Sequence, residues 1–401
     1  MCVVSGRDEM DVLSPGITIS MEKLVKYYYY VKPRLSYMDI LRIINFGHHR
    51  VLSMRQLRAI CRTLSTRRTV VCDNDLIKLV SNELSTSLSR VGYRQFTEML
   101  NIKYDVNIAK DRVRRILKVV DPHGVNARRH RTIKRRLYHC DGPFDVLHID
   151  GNDKLKRFGF AIHGAMDGFS RKIMWLVVSV SNSDPLIIAN LYLDMVVRTN
   201  NLCPNLVRMD RGNENVYVED LQTFFTSSDD SYLYAASTRN QRIESFWSRL
   251  KKFKLIWWID FFRQMEKHKL FGSSSEIHQE LLIFCFIPVL QYELNVFKSA
   301  WNGRNIRKSA EAPGGIPNML FSFPESLGYD MMGIEVTSSD LQAAAHTLKI
   351  DHHPIYNNKD LYELFCCYVG IHNFEVANNY ESALELYNNL LQCLENDNFD
   401  V

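Results

Sequence analysis

Three short stretches of the chain each place a carboxylate beside a turn or at the start of a helical pattern. HIDGN ends an apolar run on Asp150, RMDRGNEN ends another on Asp210, and NQRIESFW places Glu244 early in a long amphipathic pattern. Taken alone, Asp-x-Gly-Asn is ordinary turn chemistry, because Asp and Asn bond to nearby backbone and Gly accepts positive φ. The alternative is a shared site. Three clustered carboxylates repel one another unless a cation neutralises them, and their hard oxygens suit Mg²⁺.

Such a site indicates phosphoryl chemistry. Two divalent ions, Mg²⁺ or Mn²⁺, about 3.5–4 Å apart can clamp the attacking and leaving oxygens of an in-line displacement. A strand that ends in Asp and is followed at once by a tight glycine turn leaves room for an ion and a phosphate. Asp150, Asp210 and Glu244 are therefore the candidate catalytic and metal-binding residues.

The elements that must bring these acids together can be read from residue 144 onwards. Strand patterns and helix patterns follow one another in the order strand, strand, strand, helix, strand, helix, strand, helix, at residues 144–150, 158–167, 172–180, 185–199, 205–210, 218–225, 231–236 and from about 240. This order predicts an α/β fold, a mixed five-stranded sheet with helices on both faces. If the first and fourth strands are neighbours, Asp150 and Asp210 lie side by side, and the last helix adds Glu244.

Residues 144–320 resemble the integrase catalytic core shared by retroviral integrases and the D,D-35-E transposases, which has an RNase H-like fold. Four pieces occur in the order of that family: HID, MDGFSRKI, RMDRGNEN and NQRIESFWSRLKK. The resemblance implies that Asp150, Asp210 and Glu244 hold the metal. The 33 residues between Asp210 and Glu244 (211–243) are slightly fewer than the family name records.

The resemblance also implies roles for neighbouring residues. Asn240 is expected to contact a DNA base or sugar and Lys251 a phosphate, although a solvated helix lysine is an equal alternative for Lys251. Asp167 and Arg171 are interpreted as an ion pair that braces a hairpin, with a catalytic role as the alternative. Glu214 is interpreted as a cap of the following helix, with an approach to the metals as the alternative. Further on, Trp301, Arg304 and Arg307 are candidates for DNA contact, with packing as an equal alternative for Trp301.

Residues 36–120 have helical patterns and resemble the tandem helix-turn-helix arms that precede transposase cores. Ser53 is placed to cap a helix that begins at MRQLRAICRTL. Arg112 and Arg115 fall on the outer face of a later helix and are candidate DNA contacts. Residues 121–143 read as a basic linker, either a solvated tether or a segment that attracts phosphates. Its candidate DNA-binding residues are Arg128, Arg129, Arg131, Lys134, Arg135 and Arg136.

The remaining segments carry weaker signals. Residues 1–35 are interpreted as partly disordered, 144–270 as the catalytic core, 271–329 as a helical extension and 330–401 as a helical tail of unknown role. The apolar run at 281–290 is too short to span a bilayer and predicts a buried helix, with no membrane partner.

The composition indicates the cellular compartment and which cofactors are expected. The chain has 401 residues, a net charge of +5 and nine cysteines without paired CxxC spacing. This cysteine pattern favours reduced thiols inside a cell and argues against a structural zinc site.

Two functions from different classes fit these patterns. The first is an integrase or transposase that cleaves double-stranded DNA and transfers the strand, as DNA integration requires. The second is a transposon-derived protein that binds DNA but has lost its chemistry. A plain nuclease of the RNase H type fits the core but not the DNA-binding arms. A DNA substrate in a eukaryotic host implies the nucleus, and holding two DNA ends implies a homo-oligomer.

Overall fold

The computed structural model describes residues 20–30, 35–63, 71–86, 88, 91–104, 106, 108–127, 140–234, 240–272, 275–308, 313–348, 356–397 and 399. Its centre is a mixed sheet of five strands. In chain order they are β1 (Val146–Asn152), β2 (Ala161–Asp167), β3 (Ile173–Ser179), β5 (Leu206–Met209) and β6 (Tyr232–Tyr234). A separate two-stranded sheet pairs β4 (Leu202–Cys203) with β7 (Ile334–Glu335).

The order across the main sheet is β3-β2-β1-β5-β6. The first three strands form an antiparallel meander, and β5 and β6 add to it in parallel. β1 and β5 are therefore neighbours, as the prediction of adjacent aspartates requires. The predicted mixed five-stranded sheet with flanking helices is confirmed.

Helices cover both faces of the sheet because its side chains are apolar on both. On one face lie α8 (Pro185–Arg198) and α9 (Val216–Thr226), which bury Leu147, Ile149 and Val207. On the other face lie α10 (Gln241–Leu250), α11 (Ile256–Lys267) and α12 (Glu276–Asn302). The sheet that carries Asp150 and leads into Asp210 is thus packed between two helical layers.

The predicted buried helix around 281–290 is confirmed, although it is longer than its apolar run. α12 has 27 residues and is long and apolar enough to cross a bilayer by length and composition alone. However, 61% of its most apolar 18-residue window is buried inside the molecule, against the sheet and neighbouring helices. Its apolar character is explained by this packing.

The helices before the sheet form two units. Their bounds are α1 (Met21–Tyr30), α2 (Tyr37–Arg42, continued by a π turn over Ile43–Gly47), α3 (Met54–Thr63), α4 (Asp73–Leu84), α5 (Tyr93–Lys103), α6 (Lys110–Val120) and α7 (Pro122–Ala127). α1 to α3 share one buried cluster with Met319 and Phe323. The interpretation of residues 1–35 as partly disordered did not foresee α1, while residues 1–19 lie outside the described part.

The second unit is not a detached arm. Side chains of α4, α5 and α6 belong to the same hydrophobic cluster as α10, α11 and α12. The Trp257 indole also donates to the carbonyl of Ser85, at 3.3 Å. The predicted linker at 121–143 therefore does not divide two separate hydrophobic cores.

The C-terminal region is helical, as predicted, and packs on the core. Its helices are α13 (Pro317–Ser322), α14 (Ser338–Leu348), α15 (Lys359–His372) and α16 (Tyr380–Asn396). α16 buries Leu386, Tyr387 and Leu390 in the cluster that contains α12. Helices α14, α15 and α16 thus contribute buried side chains to the hydrophobic clusters around the sheet.

Candidate catalytic carboxylate site

The three predicted acids come from three different elements that the sheet order brings together. Asp150 lies within β1, opposite Gly164 of β2, and the strand continues two residues beyond it. Asp210 directly follows the last residue of β5, which runs parallel to β1. Glu244 lies in the first turn of α10, which packs on the sheet.

Their electrostatics show that the three carboxylates influence one another. The pKa of Asp150 is raised to about 7, mainly by burial, and the charges of Asp210 and Glu244 raise it further. Burial is also the main cause that raises the pKa of Glu244, followed by the charge of Asp210. The site therefore disfavours three negative charges unless a positive charge joins them.

Two more charged residues border this site. Burial and the Glu214 carboxylate raise the pKa of Asp210. Lys154 acts in the opposite direction on Glu244 and lowers its pKa. Glu214 lies in the short turn Asn213–Asn215 before α9 and is close enough to Asp210 to influence its charge. The predicted cap is wrong, because the residue at the N-cap of α9 is Asn215 and no side chain caps the helix there.

The donor set fits a divalent cation in its chemistry. Oδ1 of Asp210 is buried and has no hydrogen-bond partner among the described residues, as expected of a carboxylate oxygen kept for an ion. Within those same residues, however, no group of three or more His, Cys, Asp or Glu side chains is close enough to hold a metal. The acids are thus near enough to influence one another's pKa without forming such a group in the described residues.

Trp247 is a site residue that was missed from the sequence. Its indole Nε1 donates to Oδ2 of Asp150 at 2.8 Å, and its ring is buried. The ring lies against Gly164, where an added Cβ would stand 2.9 Å from it. The sequence offered one signal, a tryptophan one helical turn after Glu244. No sequence pattern connects this tryptophan with Gly164 on β2.

Asn240 takes an internal role. Its side chain is 1% exposed and spans two groups of β1. His148 Nδ1 donates to its Oδ1 at 2.5 Å, and its Nδ2 donates to the carbonyl of Ile149 at 3.2 Å. These bonds fix the start of α10 beside Asp150. Because the side chain of Asn240 is buried, it is not accessible for the predicted contact with DNA.

His148 is held neutral in this arrangement. Burial lowers its pKa to about 3, and the nearby charges of Arg208 and Arg242 lower it too, against the opposing effect of the Asn240 bond. A neutral imidazole adds no charge to the acid site.

The other predicted DNA contacts fall into three groups. Lys251 is exposed where α10 ends, so its phosphate contact stays a prediction. Arg112 pairs with Asp73 and donates to the carbonyl of Val71 at 2.8 Å, while Arg115 is exposed. Six residues lie outside the described residues: Arg128, Arg129, Arg131, Lys134, Arg135 and Arg136.

The interpretation of the MDGFSRKI hairpin needs correction. Asp167 braces it by accepting from the backbone N–H of Phe144 and of Ser170, both at 2.7 Å. Arg171 instead donates to the carbonyl of Pro313. The hairpin is held by Asp167 with backbone donors because Arg171, with φ of 62°, directs its side chain elsewhere.

The residues after α12 pack against this hairpin. Trp301 is buried and donates from its indole to the carbonyl of Arg171 at 2.9 Å. Arg304 lies over the Trp301 ring, whereas Arg307 is exposed. The packing alternative therefore describes Trp301, and DNA contact by Arg304 and Arg307 stays a prediction.

A mixed sheet in this order, with acids on two adjacent parallel strands and on the following helix, is the RNase H-like fold. Residues 137–321 match the family model described as the integrase core domain. This part of the chain is thus an integrase catalytic core of the RNase H-like superfamily, which indicates a polynucleotidyl transferase-like function. A comparison with curated proteins returned no match.

Proposed function

We propose that this protein is a DNA integrase or transposase, a metal-dependent strand transferase that acts on double-stranded DNA. The observation that supports it is the convergence of Asp150, Asp210 and Glu244, whose pKa values are all raised above their ordinary range. Structural carboxylates are usually neutralised by positive charges, whereas here the charges of neighbouring acids raise the pKa values of Asp150 and Glu244, and perturbed pKa values of this kind cluster at functional sites. Because these acids lie within an integrase core domain, we attribute their mutual repulsion to a catalytic role.

In this proposal the chain's own residues provide position and charge. Asp150 and Asp210 stand on neighbouring strands, and Glu244 joins them from α10. Trp247 orients one oxygen of Asp150, and the bridge from Asn240 to β1 holds the helix in place. One or two Mg²⁺ or Mn²⁺ ions held by the three acids would supply positive charge against the phosphate oxygens.

The reaction has two chemically similar steps. Water displaces the 3′-oxygen of a DNA phosphodiester, which leaves a 3′-hydroxyl and a 5′-phosphate. That 3′-hydroxyl then displaces the equivalent oxygen in target DNA and joins the strands. Because two DNA ends must be held together, we propose a homo-oligomer on DNA. Because a DNA substrate in a eukaryotic host lies in the nucleus, we also propose a nuclear location.

Asparagine substitutions test the metal assignment. Asp150→Asn and Asp210→Asn keep the size of the side chain but remove its charge, so nicking and strand transfer in Mg²⁺ or Mn²⁺ should be abolished. Binding to duplex DNA should stay near normal. Asp220→Asn, an exposed acid on α9, is the matched control and should keep full activity. Full activity of either site variant would contradict the assignment.

A DNA-binding protein without chemistry is the second candidate, and two observations favour it. Oδ2 of Asp150 is already occupied by Trp247, and no described group of three ligands is close enough for an ion. A salt titration of DNA binding beside a nicking assay separates the two. Binding that weakens steeply with salt, without nicking in either metal, would identify the silent form. Faster cleavage of an RNA–DNA hybrid than of duplex DNA would instead indicate a nuclease of the RNase H type.

A further inference from the structure

Helix α3 carries a stripe of positive charge on its exposed face. Arg55, Arg58 and Arg62 are exposed, at spacings of three and four residues that place them along one side of the helix. Ala59 is exposed between them, and the helix contains no acidic residue. The opposite side buries Leu57 and Cys61. This division leaves the arginine stripe facing outward from its unit.

The neighbouring contacts hold α3 in a fixed orientation. Ser53 caps the helix, as predicted, because Gln56 N–H donates to its Oγ at 3.3 Å while Ser53 N–H donates to Gln56 Oε1 at 2.9 Å. The turn before it is closed by Asn45, whose Oδ1 accepts from Leu52 N–H at 2.8 Å. The stripe is therefore presented on a braced helix-turn-helix.

Helix α6, on which the sequence placed candidate DNA contacts, has its charge largely compensated. Lys110 pairs with Glu98 at 2.8 Å, and Arg114 pairs with Asp111 at 3.6 Å. Arg112 pairs with Asp73. Among the described residues, no ion pair or hydrogen bond engages the side chains of Arg55, Arg58 or Arg62. The whole stripe of α3 is therefore uncompensated, whereas on α6 only Arg115 and Lys118 are exposed without such an ion pair in the described part of the chain.

We propose that α3 is the duplex-DNA-binding helix of this protein and lies in the major groove. At a rise of about 1.5 Å per residue, the stripe from Arg55 to Arg62 is roughly 10 Å long. The major groove of B-DNA, about 12 Å wide, admits such a helix. Arginine binds phosphate oxygens or the edge of guanine through two parallel N–H groups.

This assignment rests on the proposed function for its choice of DNA as partner, but its surface is separate from the carboxylate site. The small side chain of Ala59 lets the helix approach the bases and can contact a thymine methyl group. The stripe thus combines contacts that hold the duplex with contacts that can read it.

The test compares two charge-matched variants of the full chain. One carries Arg55→Gln, Arg58→Gln and Arg62→Gln on α3. The control carries Lys110→Gln, Arg114→Gln and Lys118→Gln on α6. Binding to a fluorescein-labelled 30-base-pair duplex of random sequence is followed by fluorescence anisotropy from 50 to 200 mM salt. Circular dichroism checks that both variants stay folded, as expected for exposed helix positions.

We expect the α3 variant to bind on the order of tenfold more weakly, and its slope of log affinity against log salt to flatten by about 2.7 if all three arginines contact phosphates. The α6 control should change less than threefold. An unchanged affinity and slope for the α3 variant, or a larger loss in the α6 control, would overturn the proposal. An RNA duplex that competes better than unlabelled DNA would do the same, because the RNA major groove is too narrow for a helix.

The two proposals can fail independently. If the wild type binds DNA through α3 but never nicks it in Mg²⁺ or Mn²⁺, the strand-transferase function falls and the α3 assignment stands. If the α3 variant binds normally while Asp210→Asn loses nicking, the opposite holds.

Discussion

At the scale of single residues, the hydrogen bond between Trp247 and Asp150 controls the charge of the candidate site. The indole N–H favours the ionised carboxylate and holds its pKa down, against the burial and like charges that raise it to about 7. Near neutral pH this carboxyl is therefore divided between protonated and ionised forms. A cation that binds there at pH 7 must often displace a proton.

Replacing Trp247 by Phe keeps the ring against Gly164 and removes only the donor. A hydrogen bond to a charged group is worth about 1.5–3 kcal/mol, so the pKa of Asp150 should rise by about one to two units more. Isothermal titration with Mn²⁺ should show roughly tenfold weaker binding at pH 7 and a smaller defect at pH 8.5.

Trp257→Phe, which removes a distant indole donor, is the control and should bind Mn²⁺ as the wild type does. An equal defect of the Trp247 variant at both pH values would show that the indole acts by shape and not through the charge of Asp150.

His163 makes stability depend on pH. It is buried, accepts from the Trp175 indole at 3.0 Å, and burial lowers its pKa to about 3. The unfolded chain takes up this proton near its ordinary pKa of about 6.5, whereas the folded chain does not. The stabilisation is therefore complete above pH 6.5 and is lost as the pH falls towards 3, at up to about 1.4 kcal/mol per unit.

His163→Gln keeps an acceptor for Trp175 but does not titrate. Between pH 6.0 and 4.5, we expect the wild type to lose about 2 kcal/mol of unfolding free energy relative to this variant, measured by urea denaturation. Because every other group is common to both proteins, their difference isolates His163. Parallel curves for the two proteins would rule out the neutral buried state.

At the scale of elements, a π-helical segment, Lys251–Leu255, lies between α10 and α11 and turns a lysine inward. The extra residue in this turn places Lys254, with a side chain only 5% exposed, 3.1 Å from Glu293 of α12. The same Glu293 oxygen accepts from the Trp258 indole at 3.1 Å. These bonds tie the π-helical segment that follows α10, and the start of α11, to the central core helix α12.

Glu293→Leu should therefore lower the free energy of unfolding by about 3 kcal/mol, because it leaves the buried ammonium of Lys254 without this carboxylate. Adding Lys254→Met should recover most of the loss, since it removes the buried charge. Lys252→Met, on the exposed side of the same turn, serves as the control. If urea denaturation gave additive losses in the double variant, the two side chains would not be coupled.

At the scale of the whole molecule, helices on both sides of the integrase core domain share its hydrophobic core, although α1 to α3 belong to a separate cluster. The cluster that contains α10, α11 and α12 also contains side chains of α4 to α6 and of α15 and α16. Tyr387 of α16 donates to the carbonyl of Leu270 at 2.8 Å. We therefore expect these regions to unfold together with the sheet.

Leu390 of α16 is fully buried in that shared cluster. Leu390→Ala should lower the unfolding free energy by about 3 kcal/mol and shift one cooperative transition, seen by both tryptophan fluorescence and circular dichroism. Exposed Gln392→Ala is the control. A separate early transition that leaves tryptophan fluorescence unchanged would show that the tail folds by itself.

Local patterning determined the elements and the identity of the acids. Strand alternation, helical periodicity and capping residues such as Ser53 depend on neighbours within a few residues, so they can be read from the chain. The order of strands and helices around Asp150, Asp210 and Glu244 was sufficient to predict the mixed sheet, whereas the adjacency of β1 and β5 entered only as a condition that the structure then met. The confirmed resemblance rests on the same short stretches.

Only the tertiary structure decided which side chains meet across the sheet and which charges are compensated. Trp247 reaches Asp150, and Asn240 is buried against β1, because α10 packs on strands about 90 residues earlier in the chain. Likewise, Arg112 and the arginines of α3 look alike in the sequence, yet in the part of the chain that the structure describes only Arg112 pairs with an acid from another helix. Contacts between distant segments follow from packing, which one-dimensional periodicity does not encode.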